Sequence, residues 1–573
     1  MMGRACRMLA AGAAMAAACA VCWAGAPAKV DWRESFGQVR RLIREGKLPE
    51  AERQIDSLLA QEHAATPQRL EAEELRGLVR LEQGKANEAL AIWRETEKQA
   101  AGLNQAQPRG MRYTEAAKYF LRAGAFDDAA RAVKKALAAG QEAHDLGFLA
   151  QMHVYEAILC EHKGQAAEAG KARARMREIL CSPEGREKLG WVLSRLRDVG
   201  RDALALEVAD ETLKAEPLAG AGDNLLQLGN QFRKDGEAEI ARHCYALGAR
   251  VPWDSAWTSR FPRQCLQGLA EMDLDGNRLD AALGEARLLY LFAEVQHIQG
   301  PMNLVAQILK KADGDINKRV RAFLEYQRYG KPGKDGQAGT ADDLQDPLAA
   351  VPLPKAEPLG KLDDLLARTD PLDAHLRMSL CMQHRRFDMA LVEAMAAYRA
   401  ATDEKLADPI YAVATALKAM DGDLLRANRY LMFQQAGPAG KDGRPGTGDD
   451  LADPLQGIQL PGVPRRDKQF ADAVAACNDT PEGLRRKGVL LLAWGKSQEG
   501  LEVMKEIYAR CGVQPDALKE AILGVAAGLK AIDGHVHRAN QYLLYQKHGP
   551  DGPDGIKGTA DDVRNPLEAP AKR

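Results

Sequence analysis

Apolar positions recur along this chain at helical spacing. Val39, Leu42 and Ile43 mark a stripe that stops before Gly46. Ala51, Ile55, Leu58 and Leu59 then repeat the i, i+4, i+7, i+8 spacing of a buried helix face. Alternating β-branched runs, the mark of half-buried strands, are almost absent. The pattern predicts two helices joined at a glycine, which takes positive φ without a Cβ clash. The alanine five residues further on lets the two helices approach closely.

The same phrase returns in phase. Its members are Gly46/Ala51, Gly84/Ala89, Gly124/Ala129, Gly164/Ala169, Gly200/Ala205, Gly236/Ala241 and Gly276/Ala281. Gly314, Gly422/Ala427 and Gly534/Ala539 continue the series, with weaker members at Arg385/Ala390 and Gly495/Gly500. One such pair means nothing, but a phased series predicts a helical repeat. The regular spacing breaks between Gly314 and Arg385 and again between Gly422 and Gly495.

Both breaks hold a Gly/Asp-rich loop followed by a Pro-rich strap, VPLPKAEPLG at 351–360 and QLPGVP at 459–464. The loops are GKDGQAGTADDLQDPL at 333–348 and GKDGRPGTGDDLADPL at 440–455. A third, GPDGIKGTADDVRNPL at 552–567, comes at the end of the chain. Each follows a helical phrase of one type: FLEYQ at 323–327, YLMFQ at 430–434 and YLLYQ at 542–546.

The phrases REGKLPEA at 44–51, LEQGKANEAL at 81–90, LRAGAFDDA at 121–129 and LKAEP at 213–217 resemble the tetratricopeptide repeat family. Most units exceed the family's usual length, and many lack its large aromatics, so the recurrence carries the resemblance. It implies an all-α superhelical solenoid of about twelve helical hairpins, with three loop insertions in the C-terminal half. It also implies a concave surface for a protein or peptide, and no catalytic residue. The expected organisation is an export signal at 1–28, a repeat array at 29–300, and hairpin pairs each followed by a loop at 301–573.

The loops place acids in register: Asp335, Asp342, Asp343 and Asp346 in the first, and Asp442, Asp449, Asp450 and Asp453 in the second. The third has Asp554, Asp561, Asp562 and Asn565. Thr340, Thr447 and Thr559 add oxygens. Such loops resemble the Asp/Gly-rich calcium loops of extracellular bacterial proteins, which implies Ca2+ held by these residues. They depart from the EF-hand pattern. With Gly336 as its central glycine, Lys331 and Gly333 stand where acids belong, and Pro550 and Gly552 do so in the third copy. The competing reading is a structural turn, because Asp-Gly and Gly-Thr form turns and Asp caps its own backbone. Lys331, Lys334, Lys441, Arg444, Lys557 and Arg564 lie close enough to pair the acids without metal. Adjacent Asp-Asp pairs repel, which favours a cation.

The N-terminus changes the compartment. Arg4 and Arg7 precede a small-residue apolar stretch from Met8 to Val21, with small-x-small cleavage sites around Ala24 to Ala28. This predicts export to the periplasm or beyond. Cys19 follows three alanines but lacks the usual Leu three residues earlier, which argues against a lipid anchor. No later stretch is long and apolar enough to span a bilayer, so any envelope association is peripheral.

The chain's 573 residues carry 79 basic and 80 acidic groups, a net charge of −1, and only 5% aromatics. Neither a basic field nor stacking residues offer themselves to nucleic acid. Of ten cysteines, Cys6, Cys19 and Cys22 leave with the signal. The remaining seven show no CxxC spacing, so zinc and redox motifs fail. Cys244 and Cys265 are either one bridge or two buried thiols. His535 and His537 form HxH beside Asp533, but the other copies have Asp315 and Asp423 at that place, which reads as a helix-start loop. No GxSxG, HExxH or P-loop context occurs.

The expected function is therefore an exported scaffold that binds a protein or peptide, with loops braced by calcium or by their own turns. The alternatives are an envelope enzyme that uses a helical arch to hold a polymer such as glycan, or a purely structural envelope component.

Overall fold

The structure, a computed structural model, describes residues 32–60, 66–218, 220–255, 258–355, 358–401, 406–440, 446–462, 464–511, 515–557, 559 and 562–568. The export segment, with Cys19, lies outside these residues, as do Asp442 and Asp561. Among the described residues there are twenty-six α-helices and no strand. None of these helices is long and apolar enough to cross a membrane.

Consecutive helices pack as antiparallel neighbours because their connections are short. Gly46, Gly84, Gly124, Gly164, Gly200 and Gly236 turn the corners with φ between 69° and 83°. Ala51, Ala89, Ala129, Ala205 and Ala241 are fully buried five residues later. The seventh corner corrects the sequence reading by one residue. Gly276 keeps a negative φ of −75°, Asn277 takes the left-handed conformation, and Ala282, not Ala281, is buried. Asn tolerates that region better than most residues with a Cβ. At Arg385 the left-handed corner is made without glycine. Two helix starts are capped just before a proline: Thr66 accepts from the Arg69 N–H and Thr480 from the Gly483 N–H.

Among the described residues two compact units result, one within 32–179 together with 195–200, the other within 180–194 together with 201–568. The first unit centres on Trp93, which is fully buried. Trp93 stacks on Tyr119 at 5.0 Å and donates its indole N–H to the Glu74 carbonyl at 3.0 Å. Glu74 itself is buried against Arg112 at 2.7 Å, and burial pushes its carboxyl up to about 8.

The second unit packs the helices from Asp202 to His548. Gly229 and Gly268 both lie against the Tyr245 ring and leave it room. Cys244 and Cys265 are buried on neighbouring helices and both are free thiols. The bridge reading is thus corrected in favour of packing. Burial pushes the Cys244 thiol up to about 12, which leaves it inert.

A Cβ on Gly77 would run into the Trp93 indole. Gly77→Ala should therefore cost about 1–3 kcal/mol of stability, read as a lower urea midpoint, whereas Gly37→Ala, which meets open space, should not lower it.

Candidate functional site

The C-terminal part of the second unit is built from a larger module, four helices and a loop. The first module runs through Arg260–Asp275, Leu279–Phe292, Gln299–Asp313 and Arg319–Tyr329. The second runs through Ala374–Gln383, Phe387–Ala400, Ala407–Asp421 and Leu425–Ala436. The third runs through Pro481–Trp494, Ser497–Arg510, Pro515–Asp533 and His537–His548. Each fourth helix ends at a glycine with positive φ and extended ψ: Gly330, Gly437 and Gly549. This backbone region is nearly closed to other residues, so the chain turns sharply there into the loop.

The loops close on themselves in the same way in all three copies. The N–H of Leu344 donates to the Lys331 carbonyl at 2.8 Å, that of Leu451 to Pro438 at 3.0 Å, and that of Val563 to Pro550 at 3.1 Å. The N–H groups of Asp343, Asp450 and Asp562 donate to the carbonyls of Thr340, Thr447 and Thr559. Most of the acids turn to the backbone. Asp335 accepts from the Gln337 N–H and Asp554 from the Ile556 N–H, both at 2.8 Å. Asp343 accepts from the Gly339 N–H at 2.9 Å, and Asp450 from the Gly446 N–H at 2.7 Å. Asp346, Asp453 and Asn565 accept from the N–H two residues on, at 2.8, 2.9 and 3.1 Å.

Asp342 bridges the loop. Its Oδ2 accepts from the Asp335 N–H at 2.9 Å and its Oδ1 from the Thr340 hydroxyl at 2.6 Å. The hydroxyl and the N–H together hold its carboxyl down to about 2. Thr447 donates to Asp449 in the same way at 2.7 Å. A Cβ on Gly333 would collide with the Asp342 carbonyl, and one on Gly440 with the Asp449 carbonyl.

The described acids sit at matched places but do not converge. Among the described residues no three His, Cys, Asp or Glu side chains are grouped to hold a metal. As placed, the donor set fits a hydrogen-bonded turn better than a calcium cage. One atom departs from this: Oδ1 of Asp343 is buried and has no hydrogen-bond partner.

The joint between successive modules uses residues that the sequence reading missed. The Gln327 side chain accepts from the Tyr290 hydroxyl and donates to the Gly422 carbonyl of the next module at 3.1 Å. Gln434 repeats this, accepting from Tyr398 at 2.7 Å and donating to Gly534 at 2.8 Å. Into the same joints run two lysines. Lys418 is fully buried, lies over the Tyr290 ring, and donates to the carbonyls of Tyr290 and Ala293, the latter at 2.6 Å. Lys530 lies over Tyr398 and donates to the Ala401 carbonyl. Burial drives the Lys418 pKa well down. A signal was there to be read: Leu-Lys stands at 309–310, 417–418 and 529–530, with the lysine four residues before the corner glycine each time.

The loops touch these joints. Asp346 reaches Arg287 at 3.5 Å and faces the Gly422 corner. His535 occupies the third corner edge-on to Phe433, a structural position in a helix-start turn. The helix Pro464–Ala475, which precedes the third module, is pinned by charge: Glu393 of the second module is buried between Arg377 at 3.1 Å and Arg466 of that helix at 3.2 Å.

A polar cleft of about 440 Å³ lies elsewhere in the second unit, with Asp223, Asp254 and Asp373 on its walls. Asp254 accepts from the Thr258 hydroxyl, and Asp373 caps the Leu376 N–H. Burial pushes the Asp373 carboxyl up, with Asp254 adding repulsion. Both of these carboxylates thus carry local structural duties.

These features define the class: an all-α protein of consecutively packed helical hairpins. No protein-family model matches the chain, and no curated protein does. Among solved structures, a circular tandem repeat protein with novel repeat topology and enhanced subunit contact surfaces is similar over 90% of this chain and 91% of its own. The identity is 12% and the TM-score 0.15, too low to carry any argument.

Asp423 gives this region a pH signature. Burial pushes its carboxyl up to about 6, with repulsion from Asp421 and Asp346 opposed by the Leu425 N–H and Arg426. A raised folded pKa favours folding below the unfolded value, about 4, and that advantage is lost as pH rises through about 6. Asp423→Asn keeps the cap acceptor and removes the titration. Its melting temperature should match the parent near pH 4 and exceed it at pH 7, with the gap opening between those values.

Proposed function

We propose that the chain is an exported helical-repeat scaffold. It binds a protein or peptide partner along a concave surface of its tetratricopeptide-like hairpins, and the three loops brace the C-terminal modules. One observation carries the reading: the repeated polar side chains are spent on the joints and on loop backbone. Tyr290, Gln327 and Lys418 in one joint and Tyr398, Gln434 and Lys530 in the next hold modules in register. Such a frame presents a preformed surface at low entropic cost. The enzyme reading has less support, since Asp254 and Asp373, two acids of the polar cleft, are committed to local caps. A pull-down with the full chain from an envelope extract should recover a discrete protein that elutes with excess untagged chain. Recovery of no protein at any calcium level, together with co-sedimentation with insoluble cell-wall glycan, would favour the polymer-holding alternative.

Calcium is the second reading of the loops, favoured by the unpartnered buried oxygen of Asp343. Rotation of Asp342 and Asp343 off their backbone donors would free oxygens for a hard cation. If calcium binds, the melting temperature rises with added calcium and falls with chelator, and the double change Asp342→Asn, Asp343→Asn flattens that response. A flat response in the parent chain leaves the loops as self-bonded turns.

A further inference from the structure

The two internal joints show what a complete joint buries, and against them both ends of the modular segment are open. In the second module the third helix turns Tyr411, Thr415, Lys418 and Gly422 toward the preceding module. Thr415 and Lys418 are buried there, and Thr415 accepts from the Val295 N–H at 3.3 Å. The third module repeats the stripe with Leu523, Ala527, Lys530 and Gly534, and Ala527 and Lys530 are again buried. In the first module the same four positions are Asn303, Gln307, Lys310 and Gly314, and every one is exposed. Ile316 beyond them is 53% exposed, whereas its counterparts Leu424 and Val536 are partly covered. Helix Gln299–Asp313 buries only Val305, Ile308 and Leu309.

The opposite end is open in the complementary way. Tyr290 and Tyr398, which receive the next module, are buried; Tyr508, their counterpart, is only partly so. Gln327 and Gln434 are buried and give their amide N–H to a corner carbonyl, whereas Gln546 is half-buried. Yet its half of the joint is already assembled, with the Tyr508 hydroxyl donating to the Gln546 Oε1 at 3.1 Å.

We propose that the chain associates head to tail with a second copy of itself, the Gln299–Asp313 face of one copy seating on the Tyr508–Gln546 end of another. By the template of the internal joints, Lys310 reaches the carbonyls of Tyr508 and Cys511, and Gln546 donates to the Gly314 carbonyl. The occupant is a second copy because one chain carries both halves, and the internal joints supply the fit. The contact is heterologous, so it extends into filaments or closes into rings. The internal joints gain from the high effective concentration of tethered segments. The intermolecular one lacks a tether and is concentration-dependent.

Sedimentation velocity on the full chain tests this with two variants at exposed or half-exposed places. Lys310→Glu sets a carboxylate against the receiving carbonyls. Gln546→Glu keeps the Tyr508 bond but cannot donate to Gly314. The parent chain should sediment faster as concentration rises, and each variant alone should remain monomeric with an unchanged melting temperature. An equimolar mixture of the two should form dimers and stop there, because the pair has one intact head and one intact tail and the dimer uses both. A parent chain monomeric at every concentration overturns the proposal. So do oligomers that both variants leave intact, or variants that do not pair on mixing.

Discussion

A buried lysine is the constraint on which the C-terminal half depends. Taking a lysine amine out of water is costly unless its N–H groups find acceptors, and it favours the neutral form, as the lowered Lys418 pKa shows. Lys418 and Lys530 find them in carbonyls at the C-terminal end of a helix in the preceding module. Those carbonyls need a donor for their own reason, since the last turn of a helix has no partner within it. Each group thus satisfies the other, and the aromatic faces of Tyr290 and Tyr398 complete the surroundings. A joint made this way has one register, because a lysine displaced by a turn would leave both sides unpaired.

The loops follow from that joint. The fourth helix of each module must end where the next module's corner arrives, and Gly330 lies 3.2 Å or less from the Leu425 side chain, measured from where a Cβ would stand. The chain then needs a compact turn that does not invade the joint. Asp342 and its neighbours provide it by accepting their own backbone N–H groups, at little cost because the loop remains near solvent. The described acids of the three copies share this turn. Repulsion between Asp342 and Asp343 is relieved by sending the two carboxylates to different N–H donors.

Much of this was legible in residues. The corner glycines and the buried alanines after them were found from spacing alone, because the left-handed corner and the close helix approach are local demands. The one-residue slip at Gly276 arose because Asn277 also tolerates that conformation, which a glycine count overlooks. The register of the loop acids is legible in the sequence, but their chemistry is not. An Asp that caps a backbone N–H and an Asp that binds calcium are the same letter at the same spacing. The joint was missed although Leu-Lys before each corner repeats in the sequence, since a lysine on a helix reads as solvated by default.

By itself, the sequence determined the helical period, the positions of the corners and the places where loops interrupt them. These depend on interactions within a few residues, which a local pattern records. The tertiary structure decided which lysines leave water, which tyrosine and glutamine pair, and where the acids point. Gln327 meets Gly422, and Lys418 meets Tyr290, across roughly a hundred intervening residues. Whether a polar group is buried is set by what packs over it. The same phrase, Leu-Lys before a glycine, gives an exposed Lys310 and a buried Lys418 only because a preceding module covers one of them.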